Sequence, residues 1–246
     1  MDSEIEVRLL LDPKKVLTPD SKLKSSVQSD LGLKKEPRKL NVQFLDKTSL
    51  ELYNAGWSAR IRYTEGGPAF ELTYKKRYAI ASEQQIDATL NEASNQGFEF
   101  GANGRWEAQI EWGYESFTLS ISYKIQEDGT ALPKEAESRQ ILIENAPLEF
   151  DNWNSDRWGT RTLGDSRIFG PVPVKRYVGS WEGMRLYLEV WPIRDRAGRD
   201  IVEASFKTES RETASKKKIK LMELLQSANC FLAEDSAKTQ LIMENY

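Results

Sequence analysis

Apolar and polar residues alternate with a period of two over much of the chain, the mark of strands whose two faces meet different surroundings. Residues 4–10, 57–63 and 70–75 read this way. Residues 105–112 and 117–124 flank a turn near Gly113 and read as a hairpin. The pattern returns at 172–178, 184–191 and 201–207, and 40–45 adds a shorter strand. Gly66-Gly67 reads as a turn between two of these strands.

Helical spacing occupies the stretches between. Thr18-Pro19-Asp20 opens a helix expected over 19–31, with Gly32 as its stop. Ser82 starts another that runs through Ile86 and Leu90 and ends before Gly97. Pro133 starts a segment through Ile143 that Pro147 closes. Ser210 caps a last helix on which Ile219, Met222, Leu224 and Leu225 are expected to share a buried side. Residues 149–170, rich in Asp, Asn, Arg, Trp and Gly, read as an irregular excursion. Strands grouped with helices between them indicate an α+β fold with a dominant antiparallel sheet. The reading is one domain over 1–246, with an irregular insertion near 130–170 and a C-terminal helix near 210–246.

Residues i, i+2 and i+4 of a strand share a face. Glu4, Glu6 and Arg8 therefore point together, as do Arg60 with Arg62, Glu71 with Thr73 and Lys75, and Glu107 with Gln109 and Glu111. Arg185, Tyr187 and Glu189 form another row, and Glu203, Ser205 and Lys207 one more. Like charges recur within such rows, while the opposite faces are strongly apolar. A sheet closed on itself, polar inside and covered by helices outside, satisfies both patterns and leaves no exposed edge.

Composition narrows the chemistry. The 246 residues include no histidine and one cysteine, Cys230, with 35 basic against 38 acidic residues and a net charge of -3. Imidazole bases, Ser-His-Asp and Cys-His nucleophiles, thiolate zinc sites and disulfide frameworks are excluded. What remains is carboxylates, ammonium and guanidinium groups and hard cations. Carboxylate rows suit Mg²⁺ or Mn²⁺, and Arg/Lys rows suit phosphate oxygens, so the combination fits a metal-bridged polyphosphate. The near-neutral balance argues against nucleic acid, no apolar run spans a membrane, and the acidic N-terminus argues for a cytoplasmic protein. The basic run Lys216-Lys217-Lys218 with Lys220 is expected to be a solvated helix face. Cys230 is expected to be buried and inert, most tryptophans to be core, and Trp153 and Trp158 to be candidates for stacking on a ring.

Glu4-Ile5-Glu6-Val7-Arg8 resembles the ExExK signature of the CYTH domain, the family of triphosphate tunnel metalloenzymes. Phe44 to Tyr63, with Ala55-Gly56-Trp57-Ser58-Ala59-Arg60-Ile61-Arg62, resembles that family's "YDT … aG…lRiR" segment. Leu72-Thr73-Tyr74-Lys75 is similar to its "LTxK" strand and Val202-Glu203-Ala204-Ser205-Phe206-Lys207 to its "vEiSfK" strand. The resemblance implies a closed antiparallel eight-stranded β-barrel with a charged interior. It also implies a divalent-metal-dependent phosphohydrolase acting on an inorganic or organic triphosphate; a class IV-type adenylate cyclase and a weakly catalytic polyphosphate- or nucleotide-binding tunnel are the alternatives. By resemblance, Glu4, Glu6 and Lys75 carry catalysis, and Glu4, Glu6 and Glu203 bind the metal, with Glu107, Glu111 and Glu189 as further metal candidates. Arg8, Arg60, Arg62, Lys75 and Arg176 would hold phosphates. The chain departs from the family pattern where Arg8 replaces the signature lysine, Phe44-Leu45 replace aromatic hydroxyls, Gln109 interrupts an acidic row and Val174 precedes Arg176.

Overall fold

In a computed structural model, which describes residues 3–101, 104–193, 198 and 200–246, the nine alternating segments become strands and a short tenth is added. They are β1 (Glu4–Leu11), β2 (Arg38–Asp46), β3 (Trp57–Thr64), β4 (Ala69–Ile80), β5 (Glu107–Trp112), β6 (Phe117–Asp128), β7 (Arg167–Trp181), β8 (Met184–Trp191), β9 (Ile201–Thr208) and the two-residue β10 (Phe231–Leu232). The helices are α1 (Pro13–Val16), α2 (Ser25–Asp30), α3 (Glu51–Asn54), α4 (Ile86–Asn95), α5 (Glu135–Glu144), α6 (Leu148–Asp151), α7 (Trp158–Gly164), α8 (Arg211–Ser227) and α9 (Lys238–Asn245). None of the described helices is long and apolar enough to cross a membrane.

Hydrogen bonding follows the order β1-β5-β6-β4-β3-β2-β7-β8-β9, and β9 pairs back onto β1, so nine strands close into a barrel. The expected count of eight, all antiparallel, is corrected on both points. β1 and β5 run parallel, with Glu4 beside Gln109 and Glu6 beside Glu111. The two differences have one cause. Each antiparallel neighbour reverses direction, so a closed ring with an odd number of strands must contain a parallel pair.

The alternation decides which face turns inward. Ile5, Val7, Ala59, Ile61, Leu72, Tyr74, Ile110 and Phe206 point outward and are buried under the helices. Leu142 of α5, Phe150 of α6, Leu163 of α7 and Leu221 and Leu225 of α8 complete that outer core. The other face lines a cavity of about 820 Å³ that receives side chains from all nine strands of the ring. Burying apolar area outward at about 25 cal/mol per Å² is what holds charged residues facing one another inside.

One sector of the interior is apolar. Leu40, Val42 and Phe44 of β2 and Val172 and Val174 of β7 form a second cluster, and Ile242 and Met243 of α9 pack onto it. α9 therefore lies at the end of the barrel rather than against its outside, and Lys238, Thr239 and Ile242 line the cavity. β7 carries an extra residue where its register with β2 shifts, at the cis Gly170–Pro171 bond, and the bulge brings Phe169 into the same cluster.

Several local readings change. The helix expected over 19–31 is only α2, because Thr18 N–H donates to the Lys22 carbonyl and Ser21 turns left-handed (φ 52°), closing a tight turn first. Gly32 does stop it, at φ 60°. Residues 149–170 are ordered into α6 and α7, whose Phe150 and Leu163 are fully buried, and β7 begins at Arg167. The C-terminal region is two helices separated by β10. On α8 the buried residues are Ala214, Leu221 and Leu225, while Ile219 is exposed. Trp153 and Trp158 belong to an aromatic core with Trp57 and Phe150, not to the cavity.

Candidate active site

β1, β5 and β9 place carboxylates in the cavity, and β4 and β3 place a basic wall three and four strands round the ring from β1. At one rim Glu4 accepts hydrogen bonds from Gln109 Nε2 (2.6 Å) and Lys207 Nζ (2.5 Å), and the exposed Glu107 pairs with Lys124. Deeper in, Glu111 is the centre of an ion-pair cluster: Arg8 Nη2 lies 2.8 Å away, Lys75 Nζ 3.0 Å, and Ser120 Oγ donates at 2.6 Å. Arg60 and Arg62 share Glu71 Oε1, at 3.2 and 2.8 Å. Toward α9, Arg176 grips Glu189 through Nε at 2.6 Å, and Lys238 lies 2.6 Å from Glu203.

These surroundings shift the ionisation of the groups. Burial acts to raise the Glu111 carboxyl, yet Arg8, Lys75 and Arg77 hold it well below the usual range. Burial brings the Lys75 ammonium down to about 8 against the pull of Glu111, and burial with Arg62 nearby brings Arg60 down to about 10. Burial would raise Glu189, but Lys238, Arg176 and the Trp191 indole N–H take it to about 2. Glu6 is the exception. Burial pushes its carboxyl up, Arg8 opposes this, and Glu111 and Glu203 add to the rise. Among the described residues no hydrogen bond or ion pair satisfies the Glu6 side chain.

No family model and no curated protein matches the sequence. Solved structures match it in shape. One is a protein from Hippeastrum described as a candidate adenylyl cyclase with a dominant triphosphatase activity; it aligns over 97% of this chain and 94% of its own, at 14% identity and a TM-score of 0.56. Another, a candidate adenylate cyclase of Bacillus halodurans, covers 97% of both chains at 15% identity and a TM-score of 0.52. The chain shares the fold of these two structures. At such identities the likeness concerns the fold, so the tunnel's chemistry must be argued from its own side chains.

The tunnel brings together Glu4, Glu6, Arg8, Arg60, Arg62, Lys75, Glu111, Arg176, Glu189 and Glu203, all on its inner surface, with Glu107 at the rim. It does not gather the expected acidic residues round one point: among the described residues no group of three acidic side chains forms a ready cation cage. Arg77, half-buried and donating to Ser58 Oγ at 3.1 Å, is a tunnel residue that motif reading missed, although its place two residues beyond Lys75 puts it on the same face. Glu71 and Lys207 were visible as strand-face charges and gain their meaning from their partners. Lys238 had no sequence signal, because it enters from a helix.

Proposed function

We propose that the tunnel binds the triphosphate group of a small molecule, or inorganic triphosphate, and hydrolyses its terminal anhydride with Mg²⁺ or Mn²⁺. The observation that carries this reading is the arrangement of Arg60, Arg62, Lys75 and Arg77 on one wall with Glu6, which has no hydrogen-bond or ion-pair partner among the described residues, across the ring. Guanidinium and ammonium groups there would take the non-bridging phosphate oxygens, with Arg62 and Arg60 released from Glu71 as they do so. Glu6 and Glu4 are the donors that would hold the cation: Glu6 has no hydrogen bond or ion pair among the described residues, and Glu4, two residues before it on the same strand face, would exchange its Gln109 and Lys207 contacts for the metal. When bound, the cation would supply Lewis-acid stabilisation to the phosphoryl oxygens. Arg8 and Lys75 are fixed in place by Glu111, so they need no reorganisation to offset charge developing on the leaving phosphate. Water adds to the terminal phosphorus as the P–O–P bond breaks and its proton passes to bulk solvent, giving orthophosphate and the shortened phosphate chain. The dominant triphosphatase activity of the Hippeastrum protein supports the same reading.

A binding tunnel without turnover is the second reading, favoured by the ion pairs that already occupy Glu4, Glu111, Glu189 and Glu203. Incubation with a panel of triphosphates and Mg²⁺ or Mn²⁺, read for both phosphate and pyrophosphate, separates the cases. Orthophosphate is expected, lost in Glu6→Ala while circular dichroism and melting show an intact fold. Pyrophosphate with a cyclic nucleotide would mean a cyclase, binding alone would mean the second reading, and full activity in Glu6→Ala would remove Glu6 from the mechanism.

A further inference from the structure

Glu189 and Glu203 stand directly opposite each other on β8 and β9, and both line the tunnel. Two facing carboxylates in a buried setting repel unless a cation lies between them. Among the described acidic residues Arg176 pairs with Glu189, where Nε and Nη2 contact the same oxygen at 2.6 and 2.5 Å. The cation on Glu203 is Lys238, whose Nζ lies 2.6 Å from Glu203 and 3.7 Å from Glu189.

Lys238 is positioned by its own contacts and by the anchoring of the chain on either side of it. Its ammonium lies 5.1 Å from the Trp191 ring centroid, and the Trp191 indole N–H donates to Glu189 Oε2 at 2.8 Å. Ahead of it in the chain, Asp235 accepts the backbone N–H groups of Tyr114, Glu115 and Ser116, at 2.6–3.0 Å. Behind it, Ile242 and Met243 are seated in the apolar sector. The lysine is 15% exposed, so it is a delivered internal charge rather than a surface group that happens to be near. Glu6, by contrast, has no such partner among the described residues, although it belongs to the same tunnel.

We propose that the Glu189–Glu203 pair is a dedicated ammonium site: Lys238 is its built-in cation and takes the place a divalent metal would otherwise fill. Metal binding in the tunnel is thereby confined to the Glu6 side. The first statement stands on the contacts of Lys238; the second rests on the metal-dependent reading given above. Hard cations favour anionic oxygen donors, so removing the ammonium should turn a neutralised pair into a divalent site.

The test is Mn²⁺ titration of the full chain without phosphate, following free Mn²⁺ by electron paramagnetic resonance, alongside thermal melts. Glu6→Gln should lower the Mn²⁺ stoichiometry of the unmodified tunnel, and Glu203→Gln should leave it unchanged. Lys238→Met keeps the stem along Trp191 and loses the charge; it should gain an additional Mn²⁺ equivalent and a larger rise in melting temperature on Mn²⁺ addition. Combining Lys238→Met with Glu203→Gln should abolish both gains. Wild-type Mn²⁺ binding that Glu203→Gln removes overturns the proposal, as does a folded Lys238→Met chain that gains no Mn²⁺. Should Lys238→Met not fold, Glu203→Gln in the otherwise unchanged chain still decides by the same criterion. Failure of the functional reading looks different: Glu6→Gln would then leave Mn²⁺ stoichiometry untouched while the Lys238→Met gain persists.

Discussion

Lys76 shares β4 with Lys75 but points to the other side of the barrel wall, 7% exposed, where its ammonium donates to the Ala55 carbonyl at 2.5 Å and lies 4.3 Å from the Trp153 ring centroid. Burial brings it from 10.5 down to about 8. A lysine whose folded-state pKa lies below its unfolded value costs stability while it is charged, and that cost fades as pH rises through the folded value toward the unfolded one. Between pH 8 and pH 10 the contribution amounts to about 2 kcal/mol in favour of the folded state. Lys75 titrates in the same window, so the difference between wild type and Lys76→Met in urea unfolding isolates Lys76. The expected outcome is a variant whose stability rises less over that range; identical pH profiles would show that Lys76 is not desolvated. At this scale, legibility depended on how a residue enters the tunnel. Glu6, Arg60 and Lys75 could be read because strand alternation fixes a face, and Arg77 follows the same rule. Lys238 could not, since a helix dipping into a barrel end leaves no period-two signal.

α8 shows where helix reading succeeds and where it fails. Ser210 accepts the backbone N–H of Thr213 at 3.2 Å, the capping arrangement its position suggested. Ser210→Ala should cost about 1 kcal/mol, seen as a lowered urea midpoint with unchanged slope; a midpoint equal to wild type would mean that α8 is held by packing alone. The buried stripe was misplaced because a lysine occupies one of its positions. Lys218 lies between Ala214 and Leu221 in helical phase, donates to the Tyr114 carbonyl at 2.7 Å and sits 5.3 Å from the Trp112 ring centroid. Its stem covers apolar surface while its tip finds oxygen, and hydropathy alone counts such a residue as outward. Lys217 and Lys220 likewise turn onto Glu182, so only part of the basic run is a solvated face. Residues 149–170 fail for a related reason: short helices such as α6 and α7 hold shape by burying Phe150 and Leu163, not by propensity.

At the scale of the molecule, α9 closes the apolar sector of the barrel. Ile242 is fully buried there among Val42, Phe44 and Val174. Ile242→Asp would place an unpaired carboxylate in that sector, a change of roughly several kcal/mol that α9 avoids by leaving its seat. The expected outcome is rapid proteolysis confined to the C-terminal segment of a barrel whose melting persists; unchanged protection would mean that Lys238 and Asp235 suffice to hold α9. Closure itself was legible from charged rows backed by apolar ones, and nine strand segments could be counted directly. The count of eight and the uniform antiparallel pairing came from resemblance, and neither carries the information that β1 meets β5 side by side. That strand has a further consequence for how the chain reaches its shape. β1 finds its neighbours about a hundred residues later in β5 and about two hundred later in β9, for example Glu4 with Gln109 and with Lys207. Contacts so distant along the chain slow folding, because the loops must close before the pairing rewards them. During synthesis β1 is made before either partner exists, and it waits with both edges open to wrong pairings. Its alternate charges, Glu4, Glu6 and Arg8, then serve a second purpose, keeping an early and exposed strand from pairing with copies of itself.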